Sequence, residues 1–140
     1  MKQNVPVSTI MTKNVIKLNL SDDLTKAESL FKKHHIRHIP VVNGNVIVGM
    51  LSYTDLLRIS FADAIDEDEE VVDVTVYNMF SVEQVMARNL VKVSPDDTIK
   101  KVAEILASKE FHALPVVQGD LLVGIVTTTD LIKYLLEQYT

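Results

Sequence analysis

The chain has 140 residues, a formal net charge of −5, 47% hydrophobic and 24% charged residues, and no cysteine. That length buries one compact domain or two small halves sharing a core, and the missing cysteine excludes disulfides, thiolate metal sites and a cysteine nucleophile. Residues 63–73 hold seven acids and no base, leaving the remainder near +2, so neither part has the basic stripe that nucleic-acid binding needs.

The first residues, "MKQNVPVSTIM", lack the apolar core of a signal peptide, and no apolar run approaches the roughly 20 residues of a membrane helix. A soluble, cytoplasmic protein is expected. The acidic run reads as a solvated, self-repelling linker, without the alternating Asp/Asn and Gly of a calcium loop.

Residues 7–57 slide onto 82–132 at a constant offset of 75 without a gap, and fifteen of the 51 pairs are identical. The chain is a duplication. Two copies are too few for a solenoid, so the halves are expected to close on each other about a pseudo-twofold axis. The divisions expected are 1–61 for repeat one, 62–80 for the linker and 81–140 for repeat two.

Each repeat reads alike in chain order. A short apolar helix ("VSTIM", "VEQVM") precedes a short strand ("NVIKL", "NLVKV"). Ser21 and Ser94 then stand as candidate caps of an acid-rich helix start. The helix that follows carries Leu24, Ala27, Leu30 and Phe31, or Ile99, Val102, Ile105 and Leu106, on one face. "HIPVV" and "ALPVV" predict strands, Gly44 and Gly119 predict tight hairpin turns, and "VIVGMLS" and "LLVGIVT" predict strands covered on both faces. A last helix completes β-α-β-β-α, twice, in an α/β (α+β) fold. "VVDVTV" in the linker is a further candidate strand. Gly49 and Gly124, inside strands, predict close approach by a neighbouring helix or, second, by a ligand.

The strands "VIVGMLS" and "LLVGIVT" run into "YTDL" and "TTDL", so a hydroxyl precedes an aspartate by three residues in both repeats. A strand feeding a helix N-terminus gathers free N–H groups that attract phosphate, while a carboxylate suits the vicinal hydroxyls of a ribose. The local alternative is that Thr54 and Thr129 cap the helix and the aspartates complement its dipole. The two readings stand level on the residues alone.

"RHIPVVNGNVIVGMLSYTDLL" and "HALPVVQGDLLVGIVTTTDLI" resemble the second halves of two CBS motifs, over about residues 7–61 and 82–138. The chain is similar to stand-alone tandem CBS-domain proteins, including acetoin-utilisation-type ones. The resemblance implies two CBS repeats forming one Bateman module, a regulatory unit that commonly dimerises and binds AMP, ADP, ATP, NAD or S-adenosylmethionine in clefts between the repeats. It requires no cofactor and implies signalling to a separate effector protein. It places ligand-binding roles on Ser52, Thr54 and Asp55 in one copy and on Thr127, Thr129 and Asp130 in the other. Walls come from Asn14, Val15 and Ile16 and from Asn89, Leu90 and Val91, with Ile39 and Leu114 near the base. Arg37 aligns with His112 and His38 with Ala113, so the two sites are expected to differ in affinity and pH response. The alternative role is a ligand-free interaction or dimerisation scaffold.

"HHIRH", with His34, His35 and His38, reads as a basic helix end, since repeat two has Lys109, Glu110 and Ala113 there. Ser52 with Asp55 lacks a placed general base, so no enzyme, catalytic residue or metal is expected. Phe31, Phe61, Tyr134 and Tyr139 read as core or partner interface. The last helix carries Leu131, Ile132, Leu135, Leu136 and Tyr139, a homodimer surface or internal core.

Overall fold

A computed structural model describes residues 4–62 and 77–139. The acidic run 63–73 and the candidate strand "VVDVTV" lie outside the described residues. The fold is mixed α and β, and the chain divides into two compact units that are not the two halves of the sequence. Of the described residues, one unit takes 16–44, 48–62 and 77–89; the other takes 4–15, 45–47 and 90–139.

In the first unit, β1 (Leu18–Asn19) pairs in parallel with β2 (His38–Asn43), Leu18 beside Val41, and β3 (Val46–Ser52) lies next to β2. Between β1 and β2 runs α1 (Leu24–His34), which buries Leu24, Ala27 and Phe31, the expected face. The helix α2 (Tyr53–Ala62) follows β3 directly. Leu18, Ile39, Val41, Leu51 and Leu56 join that face in one apolar cluster. Val82 and Met86, from the start of repeat two, complete it. Val82 opens α3 (Val82–Val85), whose start is held by a capping box between Ser81 and Gln84, and Met86 is the residue at its C-cap.

The second unit repeats the plan. The helix α4 (Ile99–Ser108) buries Ile99, Val102 and Leu106, and β4 (Ala113–Gln118) runs antiparallel to β5 (Leu121–Thr127). Val46, in the part of β3 that groups here, pairs with Leu121. The helix α5 (Thr128–Glu137) closes the chain. Its apolar cluster unites Val93, Val102, Leu114, Val116 and Val126 with Val7, from the start of repeat one.

Each repeat therefore gives its leading segment to the unit built by the other. The N–H of Val7 donates to the Asp97 carbonyl at 2.7 Å, and Thr12 and Ile125 exchange backbone hydrogen bonds of 2.8 and 3.0 Å. In the other unit Ala87 and Met50 exchange theirs at 2.9 and 3.0 Å. These pairs correspond under the 75-residue offset. So do the close approaches: a Cβ on Gly124 would stand 2.6 Å from Met11 Sδ and 3.1 Å from the Thr12 carbonyl oxygen. A Cβ on Gly49 would overlap Met86 Sδ and stand 3.0 Å from the Ala87 carbonyl oxygen. The intruder is the stretch just after the short leading turn or helix.

Three local expectations are corrected. "VSTIM" forms only a 3₁₀ turn, Val7–Thr9. The first strand of each repeat is shorter than "NVIKL" and "NLVKV", reduced to Leu18–Asn19 and to a single parallel bridge from Val93 to Val116. The reason is that Thr12 is already held at Ile125, and the chain joins its next ladder only at Leu18.

Nor do Ser21 and Ser94 cap the helices. Asp23 caps α1, accepting the Lys26 N–H at 2.8 Å, and Thr98 caps α4, accepting that of Lys101 at 3.0 Å. Just before them, the Asp22 and Asp97 carboxylates accept the N–H groups of Asn19 and Ser94, both at 2.8 Å, and this turn delays the helix. Gly44 and Gly119 have φ of +67° and +66°, as hairpin turns of this kind require.

Candidate functional site

The residues Ser52 to Asp55 occupy the passage from β3 into α2. Ser52 ends the strand, and its Oγ accepts the Asp55 N–H at 3.1 Å. The Asp55 Oδ2 accepts the Ser52 N–H at 3.3 Å. In the second unit Thr127 Oγ1 accepts the Asp130 N–H at 3.2 Å, and Asp130 Oδ2 accepts the Thr127 N–H at 2.9 Å. This is a capping box with aspartate in the third helical position.

The box explains why a hydroxyl precedes each aspartate by three residues. It also corrects the assignment of Thr54 and Thr129 as N-caps. Both threonines are exposed and sit at the second helical position, where position alone leaves the backbone N–H without an intrahelical acceptor. The first helical N–H is already engaged: Tyr53 donates to the Arg37 carbonyl and Thr128 to the His112 carbonyl, both at 2.9 Å. Each helix start therefore offers one N–H and one threonine hydroxyl, beside a half-buried carboxylate, at the positive end of the helix dipole.

The carboxylates differ on their outer side. Asp55 Oδ1 lies 3.6 Å from Arg58 Nη1. Lys133 stands at the equivalent position of repeat two, and among the described residues it makes no ion pair with Asp130. The sequence reading missed Arg58; its place three residues after Asp55 on a helix was the available signal. A second difference is at Tyr53, whose ring meets buried Phe31 edge-on at 5.4 Å. Its counterpart Thr128 instead donates its hydroxyl to the His112 carbonyl at 3.3 Å.

The other expected site residues fall into two groups. Arg37 and His112 are exposed at the strand entries β2 and β4, next to the helix starts their carbonyls hold, and His38 is half-buried. Ile39 and Leu114 belong to the two apolar clusters, at 0% and 1% exposure, so their side chains present no surface. Asn14 and Asn89 are exposed, Val15, Ile16 and Leu90 half-buried, and Val91 is exposed. The boundary between the units falls within these stretches, after Val15 and after Asn89.

Two further carboxylates are electrostatically tuned. Partial burial pushes the Asp22 carboxyl up, but the Asn19 N–H and Lys26 outweigh it and hold the group below the usual range. At Asp97 the Ser94 N–H dominates, against partial burial and with help from Lys101, in the same direction. The lysines stand 3.1 and 3.0 Å from their partners. Among the described residues no three His, Asp or Glu side chains are grouped to hold a metal ion, and no helix is long and apolar enough to cross a membrane.

The chain as a whole is similar to several known proteins. The CBS domain-containing protein YhcV of Bacillus subtilis is 30% identical over 125 residues, covering 89% of this chain and 81% of that protein. The chain spans only 48% and 32% of the length of two matching Methanocaldococcus jannaschii proteins, at 27% and 33% identity. A Vibrio cholerae protein named for acetoin utilization (AcuB) superposes with a TM-score of 0.81 at 26% identity, over 96% of this chain and 93% of that one. The CBS domain pair of protein MJ0100, solved with 5′-methylthioadenosine and S-adenosyl-L-methionine, gives 0.78 at 25%, over 97% and 98%. A model of the CBS domain family matches residues 7–62 and again 82–137, four-fifths of the sequence. The chain belongs to the CBS domain family and carries two copies of the domain.

Proposed function

We propose that this chain is a regulatory, non-catalytic module that binds adenosine nucleotides (AMP, ADP or ATP, with NAD and S-adenosylmethionine as relatives of the same class) and signals to a separate effector protein. One observation carries the proposal. After the capping box is made, both helix starts keep an exposed threonine hydroxyl, a backbone N–H and the outer oxygen of an aspartate. The donors suit a phosphate edge and the carboxylate a ribose diol. The adenosine compounds bound by the MJ0100 pair support the ligand class.

The mechanism is linkage: a ligand shifts populations by its differential affinity for two states, and a partner reads the shift. Homodimerisation belongs to the proposal. No residue of α5 is buried, and Ile132, Leu135 and Leu136 are 53%, 44% and 64% exposed, so most of its apolar stripe lies outside the core. That stripe also favours a second reading, a ligand-free interaction scaffold, because the capping box by itself accounts for the shared hydroxyl and aspartate.

Thermal unfolding against AMP, ADP, ATP, NAD and S-adenosylmethionine separates the readings. A ligand at 100 times its Kd adds about 2.7 kcal/mol and raises the midpoint of a protein this size by roughly 5–10 °C. Asp55→Asn and Asp130→Asn are the right variants, since the amide oxygen can still accept the capping N–H while the charge facing the ribose is lost. A ligand-induced rise that shrinks in one of them supports the sensor. No rise with any compound leaves the scaffold.

A further inference from the structure

The two helix starts share a framework and differ in charge. Leading into β2 and including its first residue the chain reads "KHHIRH", residues 33–38, with Lys33, Arg37 and three histidines; leading into β4 and including its first residue it reads "SKEFHA", residues 108–113, where Lys109 and Glu110 cancel and one histidine remains. These segments are not remote, because the Arg37 and His112 carbonyls each accept the first N–H of the following helix at 2.9 Å. Both side chains are exposed at that point. Arginine brings a planar guanidinium with five N–H donors that can grip a phosphate through two of them at once, which a histidine ring cannot.

The carboxylates reinforce the difference. A bare aspartate repels phosphate, and Asp55 has Arg58 at 3.6 Å to offset its charge. Asp130 has no such partner among the described residues, and its outer oxygen is left to accept hydrogen bonds.

Resting on the adenosine reading above, we infer that the two sites divide ligands by phosphate content. The Ser52–Asp55 helix start takes nucleoside polyphosphates, with Arg37 and Arg58 facing the phosphate chain. The Thr127–Asp130 start takes adenosine compounds without phosphate, held by the unpaired carboxylate through the ribose. Arg37 and Arg58 are the specificity-determining residues, and the module compares two pools instead of sensing one twice.

Isothermal titration calorimetry of the full chain with ATP and with 5′-methylthioadenosine tests this, in wild type, Asp55→Asn, Asp130→Asn, Arg37→Ala and His112→Arg. Asp130→Asn is expected to abolish methylthioadenosine binding and spare ATP, and Asp55→Asn to do the reverse. Losing a charge-assisted contact in Arg37→Ala weakens ATP about tenfold and methylthioadenosine much less. His112→Arg brings ATP to the second site, and added salt weakens ATP more than methylthioadenosine. Because both side chains are exposed, unchanged melting temperatures will show that the fold is retained. Equal losses for both ligands in Arg37→Ala, or ATP bound alike at both sites, overturn the division while leaving the adenosine reading intact. If neither compound binds wild type, the division falls, while the adenosine reading stands or falls separately on the thermal-unfolding panel with AMP, ADP, NAD and S-adenosylmethionine.

Discussion

The sulfur of Met11 stands where a side chain on Gly124 would have to go, 2.6 Å from the position of its Cβ. Met86 and Gly49 repeat the relationship in the other unit. The seating of a segment on a strand is thus enough to require both glycines.

Alanine at either glycine should therefore destabilise the fold. We expect Gly124→Ala and Gly49→Ala to cost about 1–3 kcal/mol in urea unfolding, the usual range for overpacking. Adding Met11→Ala or Met86→Ala should recover part of the loss but not all. The Thr12 and Ala87 carbonyl oxygens remain at 3.1 and 3.0 Å. A double mutant fully restored to the stability of its methionine single mutant would rule out the backbone contact as a constraint.

The capping box separates neighbouring threonines. Ser52→Ala and Thr127→Ala each remove a cap and should cost about 1 kcal/mol. Thr54→Ala and Thr129→Ala, at exposed positions, should stay within about 0.5 kcal/mol of wild type. Equal costs at all four positions would contradict the assignment.

Much of this was legible in the sequence, and the failures share a cause. Helix faces such as Leu24, Ala27 and Phe31 follow from a period of 3.6, and the hairpin glycines from turn chemistry; both are local. The caps were misplaced by a few residues because Asp22 and Asp97 fold back before the helix starts. The hydroxyl and aspartate were legible as residues but not as a capping box, because aspartate stands where glutamate or glutamine is usual. The exchange of leading segments was illegible in principle. An offset of 75 aligns Met11 with Met86 and Gly49 with Gly124, but it is silent on which glycine each methionine covers.

Acid should find the paired turns. The carboxyls of Asp22 and Asp97 lie below their ordinary value in the folded state, so they stabilise the protein above the unfolded pKa. That contribution is lost as pH falls through the folded value, below about pH 4. Asp22→Asn and Asp97→Asn should reduce stability at neutral pH and flatten its decline between about pH 4 and 2, followed by urea midpoints across that range. A decline as steep as in wild type would show that other carboxyls govern it.

The end of α1 gives a test confined to one repeat. His35, the C-cap of α1, adopts the left-handed conformation, φ +53°, and donates its N–H to the Phe31 carbonyl, whereas the C-cap of α4, Lys109, has φ −117°. His35→Gly should be neutral or stabilising by up to about 1 kcal/mol, and His35→Val destabilising by about 1–2 kcal/mol. Glycine at Lys109 should give no such gain. Chemical unfolding of the three variants decides it.

The exchanged leading segments also bear on how such a chain arose. A polypeptide with a single repeat could not seat its own Met11-type residue in the unit-crossing manner seen here; it would need the segment of a second molecule. Fusing two copies in tandem put both partners on one chain and made their meeting independent of concentration. Cutting this protein between residues 62 and 77 should accordingly yield fragments that are each incomplete, and that recover native structure when they are mixed.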